Sequence, residues 1–129
     1  MISPAKDIAQ LISDAGYGTL GTDLFLNHEP NLPNDIVTVF DTGGSSPEPA
    51  IQLYKPTVMV RARGGPSDFD EAYAKLESIK LALHAEFDVT VNGSRYLQIL
   101  AMGEIQQLGR DGNNRPQFTL NFRLMRTST

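Results

Sequence analysis

The chain predicts a single α+β domain, residues 1–129, in which an antiparallel or mixed β-sheet is packed by a short N-terminal helix and a long central helix. Three observations predict it. Apolar residues fall at helical spacing near the amino terminus and again over residues 68–85. The β-type runs come in groups between and after these helices, not one strand per helix, which is the α+β pattern. With 129 residues, 40% hydrophobic and 20% charged, the chain suits one core that buries roughly two-thirds of the unfolded surface, and it is too apolar for disorder.

The first helix opens with Ser3 as cap and Pro4 at the first helical position. Ile8, Leu11, Ile12 and Ala15 share a face, and Gly16 is placed to end it. A strand is expected over 19–27, then a loop at 28–35 around Pro30 and Pro33, then a β-run at 36–40. The segment DTGGSSPEP, 41–49, has two glycines, two serines and two prolines in nine residues and reads as a mobile loop. Residues 51–54 and 57–63 read as two strands, or as one edge strand broken at Pro56. In the latter run, Val58, Val60 and Ala62 share one face, and Thr57, Met59, Arg61 and Arg63 the other.

The central helix is expected over 68–85, capped by Ser67, with Asp68, Asp70 and Glu71 placed where its amino end favours negative charge. Phe69, Ala72, Tyr73, Leu76, Ile79 and Leu83 form the stripe to be buried. Two strands, 89–91 and 94–102, meet at Asn92-Gly93, the preferred centre of a type I′ hairpin turn. GRDGNNRP, 109–116, reads as a second loop. The last strand, 117–126, alternates Phe118, Leu120, Phe122 and Leu124 against Thr119, Asn121 and Arg123.

No pattern in the chain points to catalysis. Residues 16–21 match G-x-G-x-x-G, but a dinucleotide site needs that motif to leave a strand and open a helix, and here the order is reversed. Asn92-Gly93-Ser94 matches a glycosylation acceptor and is better explained by the hairpin turn. His28 and His84 lack metal-ligand spacing, and there is no cysteine to complete a site or form a disulfide. No serine sits in a nucleophile-elbow context. The sequence thus implies no cofactor and no metal. The amino terminus has no signal-like apolar run, and no segment has the apolar length of a membrane span, so a soluble protein is expected.

Charge is uneven. Residues 1–50 carry one basic residue (Lys6) against seven acidic ones, a net of −6; residues 51–129 carry ten basic and eight acidic, a net of +2, which together give the −4 of the chain. All seven arginines follow residue 60. Residue by residue such a split reads as ordinary solvated surface; taken together it also suits acidic and basic surfaces that meet across subunits, where arginine favours fixed ion pairs. Overall acidity and the lack of tryptophan argue against a sequence-reading nucleic-acid module.

Four segments in order, DTGGSSPEP (41–49), PTVMVRARG (56–64), LGRDGNNRPQF (108–118) and TLNFRLMR (119–126), give a pattern that resembles the tail terminator proteins of long-tailed bacteriophages, also labelled minor capsid or tail completion proteins. The resemblance implies a non-enzymatic virion protein. It implies a homo-oligomeric ring, hexameric in that family, on the head-proximal end of the tail. Tail tube protein and a head–tail connector would be its partners, and DNA would pass through passively. Assembly would take place in the host cytoplasm. Expected contact residues are Asp41, Gly43, Gly44 and Glu48 in the first loop, Arg110, Asp111, Asn114 and Arg115 in the second, and Arg61, Arg63 and Arg123 on the sheet. The competing readings are another neck or head-closure ring, a small ligand-binding or enzymatic α+β domain with a site assembled from scattered residues, and a nucleic-acid-binding module.

Overall fold

The computed structural model describes residues 1–128. It is a mixed α+β fold of two helices and seven strands in one sheet. Helix α1 (Pro4–Asp14) begins as the sequence dictates: the Ser3 hydroxyl accepts the Lys6 amide at 3.2 Å, and Pro4 occupies the first turn. Ala5, Ile8, Ala9 and Ile12 are buried, while Ala15 lies exposed at the C-cap and Gly16 follows with φ 87°.

Strand β1 (Leu24–Leu26) is shorter than expected because the preceding residues are turned. The Thr19 carbonyl accepts the amides of Thr22, Asp23 and Leu24, and the Asp23 carboxylate accepts the Thr19 amide at 2.7 Å. These local bonds hold 19–23 out of a ladder.

Strands β2 (Ile36–Glu48) and β3 (Leu53–Arg63) form a long hairpin, and here two expectations are corrected. Asp41–Glu48 is strand, not loop, because β3 supplies its ladder through the pairs Gly44↔Pro56, Ser45↔Lys55 and Glu48↔Leu53. Two bulges absorb the irregular residues. Gly44 (φ 133°) is obligatory, since a Cβ there would sit 2.3 Å from the Lys55 carbonyl oxygen. Nor is β3 an edge strand broken at Pro56. It is continuous and internal, between β2 and β7, with Pro56 in the interval between its Tyr54↔Arg126 and Thr57↔Arg123 pairs.

Helix α2 (Phe69–Leu83) has Asp68 at its N-cap, one residue later than expected, and no side-chain cap bond there. Ala72, Leu76, Ile79 and Leu83 are buried. Phe69 and Tyr73 stay 37% and 38% exposed and stand edge-on to Phe118, so the predicted stripe is only partly core. At 15 residues against 11 for α1, α2 is not a dominant central helix. Both helices pack on the same face of the sheet.

Strands β4 (Val89–Val91) and β5 (Ser94–Ala101) meet at Asn92 (φ 51°) and Gly93 (φ 82°), the two positive angles a type I′ turn requires. Strand β6 (Gln106–Arg110) has no periodic signal and was not expected. Strand β7 (Pro116–Ser128) organises the sheet. The strand order is β1-β2-β3-β7-β5-β4, with β6 and β5 sharing the far edge of β7 end to end, β6 against residues 116–119 and β5 against 122–128. Only β1–β2 is parallel. Phe118, Leu120, Phe122 and Leu124 of β7, with Val37, Val39, Val58, Val60 and Ile99, form the core under the helices.

Candidate assembly surfaces

Three loops gather at one end of the molecule: His28–Asp35, Gly64–Ser67 and Asp111–Arg115. Their carbonyl oxygens lack ladder partners and need donors, and a guanidinium offers five. Arg63, 4% exposed, donates to the carbonyls of Pro30 at 2.7 Å, Pro33 at 2.8 Å and Asn34 at 3.1 Å. Arg115, 6% exposed, pairs with Asp111 at 2.8 Å and donates to the Asn31 carbonyl. Arg110 bonds the carbonyls of Pro66 at 2.8 Å and Asn114 at 2.7 Å, and Arg61 pairs with Glu29. Asn113 reaches the Asn31 side chain at 3.1 Å. The loops are therefore joined into one surface. Burial alone would raise the Asp111 carboxyl, but the backbone amides of Arg115 and Asn113 and the Arg115 guanidinium outweigh it and hold it below the usual carboxylate range.

Register puts Arg61, Arg63 and Arg123 on the sheet face opposite the helices, as the alternation predicts. The loop 28–35 lies over one end of that face, held there by Arg63 and Arg61. Under it lie Arg63, Ile36, Thr38 and Thr119, all buried. Arg63 and Arg115 thus turn their charge inward, onto their own chain. Arg123, beyond the covered end, is exposed and lies with Ser45, Lys55, Gln98 and Met125 around a shallow depression.

At the opposite end, the β2–β3 hairpin projects as an arm, with every residue from Asp41 to Gln52 exposed. Asp41 fixes its root. One carboxylate oxygen accepts the Ala5 amide at 2.9 Å, the other the Asn27 side chain at 3.0 Å. Further out, Glu48 pairs with Lys55 at 3.1 Å, and Ile51 at the tip is 68% exposed. Gly43 and Gly44 lie in the first bulge, and Asn114 (φ 61°) sits in the Asp111–Arg115 turn.

A buried polar group escaped the sequence reading. Asp7, fully buried on α1, accepts from the Tyr96 hydroxyl at 2.5 Å, the Asn92 side chain at 3.0 Å and Arg126 at 3.2 Å. Arg126 also donates to the Ile2 carbonyl at 2.8 Å. Burial first, then the Asp7 bond, pushes the Tyr96 phenol well above its ordinary value and keeps it a neutral donor. The only sequence signal was an acid in a helix's first turn, which helix-end electrostatics already explains.

A cleft of about 210 Å³ opens between the α1–β1 connection and α2, with Ile36, Val37, Ala62 and Ala72 among its walls and Asp23, Asp35 and Glu71 at its polar side. Asp35 accepts the Gly65 amide at 2.9 Å. Asp68 faces it, and its carboxyl is raised by the charge of Asp35 first and by desolvation second. His84 caps the end of α2, where its Nδ1 accepts the Ala101 amide at 2.9 Å. Among the described residues no group of three or more His, Asp or Glu is placed to hold a metal ion, and no helix is long and apolar enough to cross a membrane.

No curated protein sequence matches the chain. A chain of the virion of a native gene transfer agent particle has the same fold, with a TM-score of 0.69 at 11% identity, over 96% of this chain and 94% of that one. The family model for bacteriophage tail terminator proteins matches residues 11–127, nearly the whole chain. The chain belongs to the bacteriophage tail terminator family and is a structural protein of the phage tail.

Proposed function

We propose that the protein forms a homo-oligomeric ring, a hexamer by its resemblance, on the head-proximal end of the tail tube. There it stops tube growth and presents a surface to the head's connector, without catalysis and with DNA passing through it. The observation that carries this reading is the two-ended subunit, with bound loops at one end and a projecting arm at the other. A ring between two different partners needs two dissimilar faces, and its subunits need head-to-tail contacts. The Asp41–Glu48 arm, with Gly43 and Gly44 at its bulge, is the adaptable element. The surface that Arg61, Arg63, Arg110, Asp111, Asn114 and Arg115 shape is the preformed one.

Native mass measured with and without tail tube protein tests the reading. A closed multi-copy particle on the tube supports it, and a strict monomer under both conditions refutes it. Capture by portal-bearing heads instead of tubes would assign the protein to a neck ring. Tube growth gives a second test: adding the protein to polymerising tube protein should cap the tubes and narrow their length distribution.

A further inference from the structure

The face opposite the helices divides in two. Residues at the Ile36 and Arg63 end are covered by the chain's own loop. Beyond them the sheet is bare: Phe40, Met59, Leu100 and Met125 are only half-buried, and Asn121 and Arg123 are exposed. Antiparallel sheets tolerate a wet face, so bareness alone decides nothing. Charge decides. Among the described residues Arg123 makes no ion pair, and its cationic neighbour Lys55 is already matched by Glu48. At the helix side, Asp23, Asp35 and Glu71 border an apolar-floored cleft and also make no ion pair among the described residues; Lys75 lines that cleft without pairing to them, and Arg63, which reaches it from the other face, spends its donors on the loop carbonyls. Asp35 and Asp68 repel each other there. Arg123 and these carboxylates lie on different sides of the subunit and form no ion pair with one another, so they can meet only between copies.

We infer that the bare sheet face is a subunit–subunit surface, covered by the helix face of a second copy, with Arg123 of one copy set against Asp23, Asp35 and Glu71 of the next. The contact is heterologous, since each copy uses one face to bind and the other to be bound, and repetition about an axis closes a ring. The apolar side chains of the bare face then bury against α1 and α2. Arg123 suits the task because its planar fork engages carboxylates in fixed geometry. This inference rests on the ring reading and names the faces that make it.

The experiment uses the full chain with tail tube protein and reads particle mass by sedimentation. Wild type comes first, and its failure to form a multi-copy particle would sink the ring reading itself. Given wild-type assembly, Arg123→Glu should weaken it about tenfold or more, a typical effect of reversing an interface charge. Glu71→Arg alone should weaken it as well, and the pair Arg123→Glu with Glu71→Arg should restore it. Unchanged assembly by Arg123→Glu overturns the inference, as does a loss that the double variant leaves unrepaired. If the melting curve of Arg123→Glu is shifted, Arg123→Gln, which keeps polarity and part of the aliphatic stem and loses the charge, is read in its place.

Discussion

Tyr96 and Asp68 illustrate how single side chains set the stability of this fold. The Tyr96 hydroxyl, Asn92 and Arg126 together satisfy a carboxylate that lies wholly out of water. Tyr96→Phe leaves the shape intact and removes one donor from Asp7, so it should cost about 1–3 kcal/mol, the penalty of an under-satisfied buried acceptor. Urea unfolding at neutral pH measures it. Asp68 behaves in the opposite sense. Its folded-state pKa lies above its unfolded one, chiefly because Asp35 faces it. The stability tied to its proton is therefore complete below the unfolded value and lost as pH rises through the folded one. Asp68→Asn keeps a good capping residue and removes the repulsion. Its urea midpoint should equal or exceed wild type at pH 7, and the fall in stability just above the ordinary carboxylate range should flatten. None of this network was legible in the sequence, because Asp7 and Arg126 are 119 positions apart. Only the three-dimensional path brings them together.

Elements with a strong local code were legible, and those made by a partner were not. The alternation of β7, the Asn92-Gly93 turn and the extent of α2 follow from spacing, and the structure has them within a residue or two, although only Ala72, Leu76, Ile79 and Leu83 of the α2 stripe are buried. The outer arm of β2 reads as loop because its glycines, serines and Pro47 have poor strand propensity; it becomes strand because β3 lies beside it. Strand β6 is recruited in the same way by the free edge of β7. The faces of the arginines were legible, but the loop folded over one end of that face was not. Two predictions belong at this scale. Gly44→Val forces a side chain into the Lys55 carbonyl. It should open the arm to proteolysis between residues 41 and 53 while the far-UV circular dichroism of the core persists. Arg63→Met removes three short bonds to the loop carbonyls. Amide hydrogen exchange should then rise across residues 29–35 and 111–115 and stay unchanged in α1.

At the scale of the whole molecule, one core joins both helices to every long strand. The Asp7–Arg126 pair ties the first helix to the last strand. A domain of this size with a single core unfolds as one unit. Far-UV circular dichroism and tyrosine fluorescence should therefore report coincident urea transitions, and a separate early loss of α1 would contradict the role given to Asp7. The fold class was readable from composition and grouping, whereas the seven-strand order was not, since it depends on which edges meet and not on any local propensity.

Strand β7 lies between β3 on one side and β5 and β6 on the other. It is also the last of the seven strands that the ribosome makes. Until it emerges, β3 and β5 have nothing to bridge them, and the carboxylate of Asp7 has no arginine. The seven-strand sheet is complete only once β7 is present, so the native subunit cannot exist before it. A nascent chain on a polysome, crowded among its copies, does not yet have the sheet face through which one copy would seize another.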